Sequence, residues 1–175
     1  MSAESEPEII SEFQEVDYGD WTGKKMRSLA RNRNWQQIHK NPTEVRFPNG
    51  ETLPDITIAY QSWGTLNKDK SNAILINHAL TGWSDVTAWW PQMVGPGLPF
   101  DTDKYFIVCP NVIGGCQGST GPSSIAPDGK RYGSRFPVIT IRDMVKAEVA
   151  FSDALGIDRY LLSVGPSLGG IRSLE

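Results

Sequence analysis

Histidine and cysteine are both scarce, with two of each in 175 residues. Cys109 and Cys116 are too far apart for a Cys-x-x-Cys pair, and two cysteines do not make a disulfide scaffold. Both read as reduced thiols, one in a strand and one in a glycine-rich loop, and no metal site is expected. No apolar run approaches the ~20 residues a bilayer span needs, so a membrane helix is not expected. The first residues, Met1 to Glu8, are acidic and lack the basic-then-apolar order of a secretory signal. Basic charge is not in excess either. The net charge of -3 argues against nucleic acid as a partner. What remains is a globular composition, 39% apolar and 21% charged, in a chain long enough for one domain of ordinary size. A cytoplasmic location is expected.

The chain divides in two by composition. Residues 1–41 are acidic over the first twenty and then basic, with Lys24, Lys25, Arg27, Arg31, Arg33 and Lys40. Met26, Leu29 and Ala30 hint at one short helix, but the period does not persist. This segment reads as a charged, flexible extension that proteolysis would trim first, with His39 a solvated surface histidine. Residues 42–175 read as an α/β domain. Thr43 to Phe47 alternates and meets the turn signal Pro48-Asn49-Gly50, and Leu53 to Trp63 follows with Ile56, Ile58 and Tyr60 in period two. This predicts an antiparallel hairpin. Ala73 to Ile76 and Tyr105 to Cys109 are short continuous apolar runs, as in strands covered on both faces. Thr140 to Leu155 predicts a helix, with Thr140 and Asp143 as a capping box and Gly156 as the stop. Its apolar face is Ile141, Met144, Val145, Phe151 and Leu155, interrupted by Glu148. Strands alternating with helix predict a sheet that is parallel after its first strands.

The chemistry concentrates after the apolar run Tyr160 to Val164, in Gly165-Pro166-Ser167-Leu168-Gly169. Gly-x-Ser-x-Gly between a strand and a helix is the pattern of a nucleophile elbow, where the serine sits at a strained apex. The flanking chain passes so close that glycine is needed on both sides. Ser167 is the candidate nucleophile. Acyl transfer also needs donors for the oxygen that becomes negative. In this arrangement they are the backbone N–H groups of Leu168 and, from the segment Asn77-His78-Ala79-Leu80-Thr81-Gly82, of Leu80. A serine hydroxyl needs a base, yet no histidine follows Ser167. His78 is the one core-region candidate, but the base of this arrangement lies past the last strand, so His78 reads instead as a support for the oxyanion loop. Gly114 to Pro122 lacks the Gly-Lys-Ser/Thr of a nucleotide loop and is expected to be a tight loop at the carboxyl edge of the sheet. Nothing near Cys116 would lower its pKa enough to make it a nucleophile.

Taken in order, these motifs resemble one family. They are Asn77 to Gly82, Trp89-Trp90 with Val94 to Gly97, Asp101 to Phe106, Asn111 to Cys116, Gly118 to Pro122, Phe136-Pro137, Ile141 to Met144, and Asp153 to Ile157 leading into the elbow. The chain over roughly residues 53–175 resembles homoserine O-acetyltransferase, an acyltransferase of the α/β-hydrolase fold in methionine synthesis. The resemblance implies that Ser167 takes acetyl from acetyl-CoA, a co-substrate rather than a bound cofactor, and passes it to the hydroxyl of L-homoserine. Succinyl in place of acetyl, and serine in place of homoserine, stay open. It also implies small-molecule substrates and leaves a homodimer open. The family's catalytic Asp and His, and its carboxylate-binding arginine, fall beyond the elbow, and Arg172 is not assigned that role on proximity alone. The chain departs from the family's usual elbow at Pro166 and Leu168. On this reading it is the front half of an α/β-hydrolase fold, ending just after the elbow, and as an isolated polypeptide it is expected to be marginally stable and to show no turnover. An esterase and an inactive remnant associating with a full-length homologue are the other readings.

Overall fold

Alternating apolar residues dictate how the sheet divides its two faces. In the computed structural model, which describes residues 36–40, 45–46, 52–54 and 56–175, strands β4 (Ile56–Trp63), β5 (Ala73–Ile76) and β8 (Phe106–Pro110) form the centre of a five-stranded sheet. Two further strands, β1 (Gln36–Lys40) and β9 (Leu162–Val164), flank them in the order β1-β4-β8-β5-β9. The first two pairings are antiparallel; β8 with β5 and β5 with β9 are parallel. Among the described residues no helix is long and apolar enough to cross a membrane.

Period two places Leu75 and Val108 on one face, and Ile74, Ile76, Ile107 and Cys109 on the other. The first face is covered by helix α2 (Ile141–Leu155), with Phe151 packed edge-on against Tyr60 at 4.9 Å between ring centres. The second face is covered by the Trp-rich connection. This contains the short helix α1 (Val86–Trp89) and a miniature parallel pair, β6 (Val94–Gly95) with β7 (Phe100–Asp101). Trp89 and Trp90 stack there at 5.5 Å, and Phe100 lies 6.1 Å from Trp90. Burying these faces is what holds the sheet together, at ~25 cal/mol per Å² of apolar surface.

The expected helix is present with both its start and its stop signal. Thr140 accepts the Asp143 amide, the Asp143 carboxylate accepts the Thr140 amide, and Gly156 closes the helix in the left-handed region at φ 67°. Its buried face differs from the expected one. Asp143, Ala147, Glu148, Phe151 and Ser152 point inward, whereas Ile141, Met144, Val145 and Leu155 are half-buried. The polar members can be buried because each has a partner: the capping box for Asp143, an ion pair for Glu148, and the Glu148 carbonyl and Tyr160 hydroxyl for Ser152.

The expected antiparallel hairpin is present next to its turn, where β2 (Val45–Arg46) pairs with β3 (Thr52–Leu53), Val45 opposite Leu53. It does not extend along the rest of the expected second strand: β4 pairs instead with Gln36–Lys40. Local alternation cannot say which neighbour a strand pairs with; here five residues assigned to the extension supply the edge strand. Leu161 and Leu162, leading into the elbow, are exposed, because β9 is the last strand of the described sheet. The expected flexibility of the rest of the extension falls outside the described residues.

Candidate active site

Adjacent parallel strands bring the two key loops together. β5 and β9 pair through Ile76 and Val164, and the Asn77 amide donates to the Val164 carbonyl at 2.8 Å. The segment Asn77 to Gly82 after β5 therefore emerges beside the elbow after β9, at the carboxyl edge of the sheet, where ligands bind in α/β folds.

The elbow has the strained geometry its residues imply. Ser167 sits at φ 50° and ψ −122°, a combination that costs a non-glycine residue about 1–3 kcal/mol. Helix α3 (Leu168–Leu174) follows directly. A Cβ on Gly165 or on Gly169 would collide with the Asn77 carbonyl oxygen. The glycines thus let the elbow press on the segment after β5, a closer reason than mutual contact alone. Ser167 is exposed, and among the described residues neither its hydroxyl nor the amides of Leu168 and Leu80 have a hydrogen-bond partner. Leu80 is 67% exposed. The Pro166 carbonyl accepts the Gly169 amide at 2.8 Å.

His78 is not available as a base. The Val112 amide donates to Nε2 at 3.3 Å, so Nδ1 carries the proton and donates it to the Ala79 carbonyl at 2.7 Å. Burial pushes this imidazole down to about 4; the Ala79 bond raises it and nearby Arg172 lowers it further. A neutral histidine with both nitrogens engaged pins the loop after β5 to the one after β8, as expected of a support.

Arg172 is buried and turned away from solvent. Its Nη2 donates to Asn77 Oδ1 at 2.8 Å and lies 2.7 Å from Glu148 Oε1 as an ion pair, and Nη1 reaches the His78 carbonyl at 3.4 Å. Burial pushes the Glu148 carboxyl up, and Arg172 opposes that. Asn77 completes the cluster by donating to Ser173 Oγ at 2.9 Å and Ser163 Oγ at 3.2 Å. Reading the sequence alone missed this cluster. Its one signal was Glu148, a charge interrupting an apolar helix face.

The glycine-rich loop after β8 is knitted shut. Ser119 Oγ accepts the Ala59 amide at 3.0 Å and donates to the Asn111 carbonyl at 2.6 Å. Thr120 Oγ1 accepts the Thr57 amide at 2.8 Å, and the Asn111 side chain bonds Ser84 and the Gln117 carbonyl. Cys116 is half-buried and reduced, and burial pushes the Cys109 thiol up, away from reactivity. Among the described residues no group of three or more His, Cys, Asp or Glu is arranged to hold a metal.

Comparison with known proteins places this geometry. The family model described as alpha/beta hydrolase fold matches residues 72–174. A second model, Histidine phosphatase superfamily (branch 1), matches residues 2–81, under half of the chain and largely outside the described residues. In the stretch that both models share, residues 72–81, β5 belongs to the sheet described above and Asn77 to Thr81 to the loop that follows it. A homoserine O-acetyltransferase from Thermobifida fusca is 50% identical over 153 residues, covering 82% of this chain and 40% of that relative. The chain thus spans about two fifths of the length of that curated relative. Among solved structures, homoserine O-acetyltransferase from Bacillus anthracis matches with a TM-score of 0.71 and 31% identity, over 81% of this chain and 42% of that one. Esterase E22 matches with a TM-score of 0.66 and 31% identity, over 79% and 42%.

Proposed function

The chain belongs to the alpha/beta hydrolase fold family, and from that premise we propose that its elbow serves acyl transfer from acetyl-CoA to the hydroxyl of L-homoserine. The observation that carries the chemistry is Ser167, a non-glycine residue at φ 50° with an unpartnered, exposed hydroxyl beside the oxyanion segment. The relatives' names supply the choice of acceptor and acyl group.

The mechanism follows from elementary acyl chemistry. Ser167 Oγ attacks the thioester carbonyl while a base takes its proton. The C–S bond breaks, and CoA leaves as the thiol with that proton. The homoserine hydroxyl then attacks the serine ester, gives up its proton, and Ser167 is released protonated. Splitting the transfer replaces one hard step by two easier ones. In both steps the carbonyl oxygen becomes negative, and the amides of Leu168 and Leu80 are the donors proposed to meet it. One such donor is worth about a hundredfold or more in rate. The base is a histidine that the family resemblance puts past the elbow; His78 does not fill the role, since both its nitrogens are engaged.

Esterase E22 favours a second reading, in which water replaces homoserine as acceptor. The native polypeptide incubated with acetyl-CoA separates the two. Acyl transfer requires CoA release that depends on homoserine and yields the O-acetyl amino acid in equal amount. Release without homoserine, together with hydrolysis of simple acetyl esters, would select the esterase.

A further inference from the structure

The buried cluster behind the elbow has more connections than packing requires. A charged pair in the interior is costly, and replacing it by apolar residues is often neutral or stabilising. Arg172 and Glu148 are nevertheless both buried, on two different helices, α3 and α2. The fork of Arg172 is spent mainly on one target, the Asn77–His78 dipeptide. It holds the Asn77 side chain at 2.8 Å and the His78 carbonyl at 3.4 Å. That dipeptide is where the elbow presses, since the Asn77 carbonyl fills the space that side chains at Gly165 and Gly169 would need. It also leads directly into Leu80. Glu148 serves as the buried counter-charge that keeps the guanidinium in place.

We propose that Arg172 is a positioning residue: seated against Glu148, it fixes the Asn77–His78 backbone, and through it the Leu80 amide, relative to Ser167. The proposal rests on the acyl-transfer reading for its kinetic consequence but not for its structural one. Arg172 touches no reacting atom. It acts by keeping two loops from different strands in one register, which transition-state stabilisation by fixed donors demands.

The test uses the native polypeptide and the double variant R172M/E148L, which removes the fork without leaving a buried charge unpaired. The expected result is a folded protein whose melting temperature stays near the parent's. Its kcat for acetyl transfer falls about tenfold to a hundredfold, with KM for acetyl-CoA within about twofold, the signature of an interaction made only in the transition state. Hydrogen exchange of peptides spanning residues 77–82 is expected to speed up, with no change across β8. A folded double variant with unchanged kcat, or with a raised KM and unchanged kcat, overturns the proposal. So does unchanged exchange at residues 77–82, whether or not the parent transfers acetyl. If the parent transfers none while exchange in the variant still accelerates, the clamp stands and the acyl-transfer reading fails. Should the double variant not fold, R172K keeps the charge but loses the planar fork. It should move the same two readouts in the same direction by a smaller factor, and no movement in either overturns the proposal.

Discussion

Two glycine-rich loops leave the carboxyl ends of parallel strands, one after β8 and one after β9, and they use glycine in the same way. A Cβ on Gly121 would strike the Gly115 carbonyl, just as one on Gly165 or Gly169 would strike that of Asn77. They differ in where their polar groups go. After β8, the hydroxyls of Ser119 and Thr120 stand in for a strand, taking the amides of Ala59 and Thr57. These bonds leave the loop closed, neutral and structural. After β9, the hydroxyl of Ser167 and the amide of Leu168 have no partner among the described residues, and the backbone is strained to present them. Glycine content therefore marks close packing. Unspent hydrogen-bonding capacity at a strained residue is what supports the proposal that the elbow carries the chemistry.

The largest effect is expected where the two loops agree. Gly169→Ala must displace the Asn77 carbonyl, and the resulting overpacking and strain should cost about 4 kcal/mol or more, read from urea unfolding. Gly129→Ala, also at positive φ but with open space around it, should cost only about 1 kcal/mol. Equal costs would mean that the close approach at the elbow is not what holds it.

The second effect in size is a pH dependence on the side of the elbow. The unfolded chain protonates a histidine near 6.5, whereas folded His78 does so only at about 4. Its contribution to stability is fully present above 6.5 and is lost as pH falls through that window, by a total on the order of 3 kcal/mol. Glu148, raised by burial, works in the opposite sense and returns part of this as it protonates. The neutral Ser84–Asn111–Ser119 network has no such dependence. A His78→Gln variant should therefore flatten the stability profile between pH 4 and 6.5, and an unchanged profile would count against the assignment.

Removing hydroxyls separates the loops most cleanly. Ser119→Ala strands the buried Ala59 amide and should cost about 1–3 kcal/mol in chemical denaturation, with acyl chemistry intact. Ser167→Ala, the smallest effect on stability, should stay within about 0.5 kcal/mol of the parent while abolishing acyl transfer. A marked loss of stability from Ser167→Ala would show that its hydroxyl is structural after all.

Much of this was legible from residues alone, for physical reasons. Ala73 to Ile76 and Phe106 to Pro110 are apolar at every position because both faces are covered. The capping box and Gly156 bound α2 through local hydrogen bonds that local sequence can encode. The elbow was readable because close approach and positive φ permit so few residue types. Long-range choices were not readable. Nothing in Gln36–Lys40 announces a partner in β4, and the alternation around Val45, which marks the short hairpin with Leu53, does not say where that hairpin stops. Leu161 and Leu162 look like core and are exposed, because burial depends on what lies beside a strand. The pairing of Glu148 with Arg172 joins two helices and leaves only a broken apolar series as its trace. The histidine phosphatase match across residues 2–81 is not legible either, since composition reads residues 1–41 as a charged extension and residues 42–81 as the start of the α/β domain.

The most direct test of the contrast between the loops is to locate the acyl group. The native polypeptide would be mixed with acetyl-CoA without acceptor, quenched in acid, digested and sequenced by mass spectrometry. The expected result is an acetyl ester on Ser167 and none on Ser119, Thr120 or Cys116, discharged when homoserine is added before the quench. An acetyl group carried by the loop after β8, or no acyl-enzyme at Ser167 in a protein that still turns over, would contradict the account.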